Sequence, residues 1–194
     1  MMKEFNEEQF NQDFAEFWSN MEKCGVDKKF DETKLKNSLK TAPGLLNEDS
    51  GCAYPGGLLR HIVLSTAIAK KLLKMVSGVF DVEEETMVKI MSLMHLSKIQ
   101  LFKPNDNDWE VKNRGLNYKF AELKGRLKFG ERTILLLMNK GISLKPEEFE
   151  AIRSTDKESE EPSSKAFDSI YSVIARHSNE LAYNIEKEQY RKNK

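Results

Sequence analysis

The stretch 53-AYPGGLLRHIVLSTAIAKKLLKMVS-77 decides the reading of this chain. Pro55, Gly56 and Gly57 punctuate it and end a loop. From Gly57 to about Ser77, Leu58, Leu59, Ile62, Val63, Ala69, Leu72, Leu73 and Val76 fall on one broad face, which predicts a buried helix. His61 lies on the flank of that face, one turn in. A histidine there is either a metal ligand or a core histidine held by hydrogen bonds.

Upstream, "TAPGLLNEDSGCAYPGG" (residues 41–57) carries too many prolines and glycines for a long regular element. It is a loop of unusual length, of the kind that is pinned across a site. Before it, Phe5, Phe10, Phe14, Phe17 and Trp18 recur at helical spacing, predicting an amphipathic helix over about 6–23 with Gly25 as its stop. A short helix over 31–40 has Asp31 as N-cap and Leu35 and Leu39 inward. Downstream, 83–101 predicts a central helix that is apolar nearly all round, with three glutamates in its first turn and His95 inside it. Further helices are expected over about 130–140, 146–153 and 164–189. The stripe of the last comprises Phe167, Ile170, Tyr171, Ile174, Ser178, Leu181, Ala182 and Ile185. Residues 153–165 are polar and acidic and read as a loop. Short runs near 108–120 pair as a small β-hairpin. The fold class is all-α: one domain of six to eight helices, with residues 1–40 as a helical extension packed on a core of 41–190.

The chain has 194 residues, and Lys+Arg and Asp+Glu balance at 31 each. Global charge therefore selects no partner. The two cysteines, Cys24 and Cys52, have neither zinc spacing nor the look of a disulfide framework, and fit a reducing compartment. The polar opening "MMKEFNEEQFNQDF" has no apolar segment of a signal peptide, and no apolar run suits a membrane span. The expected location is the cytoplasm. Charge is uneven locally. Lys112, Arg114, Lys119, Lys124, Arg126, Lys128 and Arg132 stand against Glu122 and Glu131, about +5 in a neutral chain. This stretch is either a solvated hairpin or an anion-binding rim, with Trp109, Tyr118 and Phe120 available for stacking.

Only three histidines occur, His61, His95 and His177, each on a helix expected to build the core. They sit within an ordered set of landmarks: "TAPG" at 41–44, "AYPGGLLRH" at 53–61, "MHLSK" at 94–98, "FGE" at 129–131, "AIRST" at 151–155 and "SNELA" at 178–182. In order and wording this set resembles the HD-domain superfamily of all-helical, metal-dependent phosphohydrolases, and most closely the small HD proteins of phages and prophages. The resemblance spans about three quarters of the chain.

The resemblance implies a metal site held by a first His, a His-Asp pair and a late Asp, with further histidines nearby. Position by position, His61 matches the first ligand. Matched without a gap, the His-Asp pair becomes Met94 and His95; a one-residue gap restores the His at His95 and still leaves the Asp missing. The histidines expected at two further landmarks are Phe129 and Thr155, and the late Asp is Asn179. A thioether and an amide are poor ligands for Mn, Fe or Mg, and losing two carboxylates removes about two units of charge opposing a dication. The reading that follows is a catalytically inactive, HD-like pseudoenzyme of phage or prophage style, without cofactor or metal. Such a protein would bind a protein partner or a nucleotide-like anion, with no membrane involved. One alternative is a phosphohydrolase rebuilt on His61 and His95 with Asn179, using a divalent metal such as Mn, Fe or Zn; a three-histidine zinc site that adds His177 is a variant of it. Another is a nucleic-acid binder using the basic stretch 112–132.

Overall fold

The computed structural model describes residues 5–123, 125–154 and 168–192, and these form a mainly α-helical single domain. The helices are α1 (Glu7–Lys23), α2 (Glu32–Thr41), α3 (Gly57–Val76), α4 (Glu84–Leu93), α5 (Asp108–Arg114), α6 (Phe129–Asn139), α7 (Pro146–Arg153) and α8 (Ile170–Lys192). Two three-residue strands, β1 (Phe102–Pro104) and β2 (Tyr118–Phe120), pair antiparallel with Lys103 opposite Lys119. Among the described residues no helix is long and apolar enough to cross a membrane.

α3 is the central element and packs against α8, α4 and α1. Its start is set by backbone chemistry. Gly56 takes φ +81°, a left-handed conformation open to glycine at little cost, and Gly57 donates its N–H to the Tyr54 carbonyl at 2.9 Å. Leu58, Leu59, Ile62, Ala69 and Leu73 are buried along it. Each of the buried leucines and the isoleucine contributes roughly 1.5–3 kcal/mol.

α1 begins where Asn6 accepts from the Gln9 N–H at 2.9 Å, and Asp31 caps α2 in the same way through the Lys34 N–H. The aromatic face of α1 is packed: Phe10, Phe14 and Phe17 are buried, with Phe14 and Trp18 stacked at 5.9 Å. The long loop between α2 and α3 is pinned at both ends. Asn47 pairs with Leu116, and Gly51 lies so close to α8 that a Cβ there would meet the Glu186 carbonyl at 2.2 Å.

The structure departs from the sequence reading in three places. The hairpin expected at 108–120 is instead a sheet of 102–104 with 118–120, and 108–114 between them is helical. Asn107 caps that helix through the Trp109 and Glu110 N–H groups, and Gly115 ends it at φ +61°. The helix expected over 83–101 stops at Leu93; His95 enters a 3₁₀ turn over Leu96–Gln100. An all-round apolar segment carries no mark of such a break, because either geometry buries it. In α8, which starts at Ile170 rather than near 164, Leu181 and Ile185 face solvent. The buried face carries Tyr171, Ile174, Ala175, Ser178, Ala182 and Glu186. Phe167 and most of the 153–165 loop lie outside the described residues.

Candidate functional site

His61 from α3, His95 from the turn after α4, and Asn179 from α8 meet at one point. Asn179 Oδ1 is 2.6 Å from His61 Nε2 and 2.8 Å from His95 Nε2. The two rings stand edge-on with centroids 5.2 Å apart. On its other side His61 Nδ1 shares a hydrogen with Glu186 Oε2 across 2.9 Å. Tyr183 stacks on the His61 ring at 3.9 Å, and its hydroxyl accepts from Lys98 Nζ at 2.7 Å. Lys98 Nζ also sits 5.4 Å over the Tyr183 ring and 5.9 Å over the Phe129 ring. The cluster is interior. His61 is 0% exposed, His95 1%, and Glu186 and Lys98 4% each. Cys52 and Ser50, with their side chains 3.6 Å apart, come from the pinned loop, and the Cys52 thiol lies within the field of Glu186.

The amide at Asn179 is suited to this place. Its oxygen has two lone pairs and its nitrogen two hydrogens, so either end can serve two imidazoles at once. Both ring nitrogens that would face a metal are therefore occupied by a protein group.

Burial, the Lys98 ammonium and His61 together hold the His95 imidazole well below the usual histidine range. Burial raises the Cys52 thiol and, with the Cys52 and Glu186 charges, pushes the Tyr183 phenol far up. Neither is a ready nucleophile. The His95 shift has a measurable consequence. Folded His95 stays neutral, while the unfolded chain takes up its proton below the ordinary value of 6.5. The unfolded state thus binds more protons there, and stability should fall by about 1.4 kcal/mol per pH unit as pH drops below that value. Urea unfolding between pH 7.5 and 5 should show this slope, and His95→Gln should remove it. The exposed carboxylates of Glu7, Asp31, Glu83 and Asp106, all held low by partners, act only at more acid pH.

The remaining positions singled out from sequence fall as follows. Met94 is buried in the apolar core, and its carbonyl accepts from Thr133 Oγ1 at 3.1 Å. Phe129 reaches the cluster through Lys98. Thr155 lies outside the described residues. His177 stands on the exposed side of α8, 3.8 Å from Glu180, and joins no three-histidine group. The sequence reading missed Glu186, Tyr183, Lys98 and Cys52. Tyr183 and Glu186 follow Asn179 at i+4 and i+7, a spacing that marks one helix face.

The basic stretch does not form one bare patch. Lys119 pairs with Asp106, Arg114 lies 3.9 Å from Glu110, and Arg132 donates to the carbonyls of Leu127 at 3.0 Å and Gly125 at 2.8 Å. Lys112, Arg126 and Lys128 are exposed, and Lys124 is outside the described residues. Trp109 and Phe120 are exposed, but Tyr118 is buried and cannot stack on a base, contrary to expectation.

Among the described residues there is no group of three or more His, Cys, Asp or Glu that could hold a metal ion. Two imidazoles and a neutral amide leave a dication's charge uncompensated, and the nearest carboxylate, Glu186, sits behind His61 rather than facing the point where the rings converge. These residues do not fit a catalytic divalent metal. No family model, no curated protein and no solved structure matches the chain.

Proposed function

We propose that this chain is a catalytically inactive, HD-like helical protein of phage or prophage style that acts by binding a protein partner. One observation carries the reading. The Asn179 amide takes up both His61 Nε2 and His95 Nε2, so the two ring nitrogens converge on a protein group rather than an open position, and the contact ties α3 and the turn after α4 to α8. His95 Nδ1 and Glu186 Oε1 are left without a partner among the described residues. In an HD hydrolase the corresponding groups would generate a metal-bound hydroxide. Here His61 and His95 are hydrogen-bonded to Asn179 in the interior, and buried polar contacts of this kind help to specify packing. The burial of His61, His95 and Lys98 also favours a protein partner over a nucleotide-like anion, because no cation of the cluster is presented to solvent.

The test is a hydrolysis assay with nucleoside mono-, di- and triphosphates and a generic phosphomonoester, in the presence of Mn²⁺, Mg²⁺ or Zn²⁺. Turnover should stay at the level of a His61→Ala control. Phosphate release by the wild-type chain that EDTA abolishes and added metal restores would establish the phosphohydrolase alternative instead.

A further inference from the structure

Away from the histidine cluster, two cavities adjoin on the surface beside α6. The larger, about 370 Å³, lies between α6 and the 121–128 loop and is lined by Leu123, Leu127, Leu135 and Leu136. The second, about 180 Å³, continues it toward α2 and is lined by Phe30, Leu35 and Ile99. Gln100, Leu136 and Lys140 line both, so the two form one groove crossing the 3₁₀ turn. Its walls expose apolar surface: Leu123 is 37% exposed, Leu127 40% and Leu135 47%. Exposed aliphatic side chains clustered on one groove mark an interaction site.

The groove has a charge sign. In the larger cavity the charged lining residues are Arg132 and Lys140. Arg132 spends its hydrogen bonds on the Leu127 and Gly125 carbonyls, which hold the loop as a wall and leave the guanidinium charge in place. Lys140 lies 5.3 Å over the Phe30 ring, an arrangement that likewise preserves its charge. In the second cavity Lys34 and Asp31 pair at 3.6 Å and offset one another, so the positive sign of the groove rests on Arg132 and the shared Lys140. Arg126 and Lys128 are exposed on the loop wall, and Glu131 nearby is occupied with the Lys128 N–H.

We infer that this groove is a docking site for an acidic amphipathic helix of a partner protein, with apolar anchors at i, i+4 and i+7 in the groove and carboxylates toward Arg132 and Lys140. The inference rests on the binding reading above and gives it a surface. Nucleic acid suits the groove less well, since it offers leucines where bases need aromatic faces.

The experiment uses the whole, isotopically labelled chain. It is titrated with a synthetic helix of about 18 residues carrying leucine at i, i+4, i+7 and i+11 and glutamate elsewhere. A lysine-for-glutamate version and an oligothymidylate are run beside it. The acidic peptide should bind saturably, with amide shifts confined to 121–140 and the 3₁₀ turn. Leu135→Asp and Lys140→Glu, both at solvent-facing positions, should each weaken it about tenfold, and the lysine peptide should bind at least about tenfold more weakly. Absence of saturation up to about 1 mM, equal binding of both peptides, shifts elsewhere on the molecule, or preferential binding of the oligonucleotide in the groove would overturn the inference. None of these outcomes bears on the hydrolysis assay, so the two readings fail separately.

Discussion

His61→Ala is expected to lower unfolding stability by about 3–5 kcal/mol, the largest effect of any single substitution in the cluster. Three losses combine. Glu186, 4% exposed, loses the Nδ1 group 2.9 Å from its carboxylate and is left unpaired in the interior. Tyr183 loses the ring stacked on it at 3.9 Å, which opens a cavity. Asn179 loses one of the two imidazoles that hold it. A domain of this size has only about 5–15 kcal/mol to lose, so the variant should be near the edge of folding at 37 °C. Glu186→Gln should cost much less, about 1–2 kcal/mol, because the amide can either accept from or donate to Nδ1 at the same place. Urea denaturation of both single variants and the double variant measures the coupling. If His61→Ala costs under about 1 kcal/mol, the cluster does not hold the fold together.

Gly57→Ala ranks second, at about 2–3 kcal/mol destabilising. Helix propensity alone would predict the opposite sign, since alanine gains about 1 kcal/mol over glycine inside a helix. Sterics reverse it. A Cβ at Gly57 would lie 2.1 Å from the Cys52 carbonyl oxygen, and that oxygen is held from the other side by the Gly44 N–H at 2.8 Å. The obstacle is backbone, so no side-chain rotation relieves it. With about 2–4 °C per kcal/mol for a chain of this length, the melting temperature should fall by several degrees. Gly78→Ala is the control: its Cβ would meet nothing within 4 Å, and the melting temperature should barely move.

These two positions show what the sequence makes legible. The proline and glycines at 55–57 announce a loop ending on a helix, and the Asp31 cap is a local signal because it satisfies a helix end with its own side chain. The pairing of His61 with Asn179 is long-range, and the residue types alone suggested only a former site. Glu186 was hidden because "IEKEQYRK" has the composition of a solvated helix end. It is buried because the glycine at 51 lets the pinned loop close over α8. The hairpin was misplaced because Trp109 and Val111 favour strands, whereas the Asn107 cap and the acids after it start a helix. The break after Leu93 had no signature, yet it is what places His95 on Asn179 and Lys98 on Tyr183.

The central proposal is that the Asn179 amide occupies the point between His61 and His95 in place of a metal, and calorimetric titration of Mn²⁺ and Zn²⁺ into the wild-type chain and Asn179→Asp tests it most directly. The account predicts no stoichiometric binding to the wild-type chain. It also predicts binding in Asn179→Asp, where a carboxylate between the two imidazoles supplies an anionic ligand. Stoichiometric binding of either ion to the wild-type chain, abolished by His61→Ala, would contradict it.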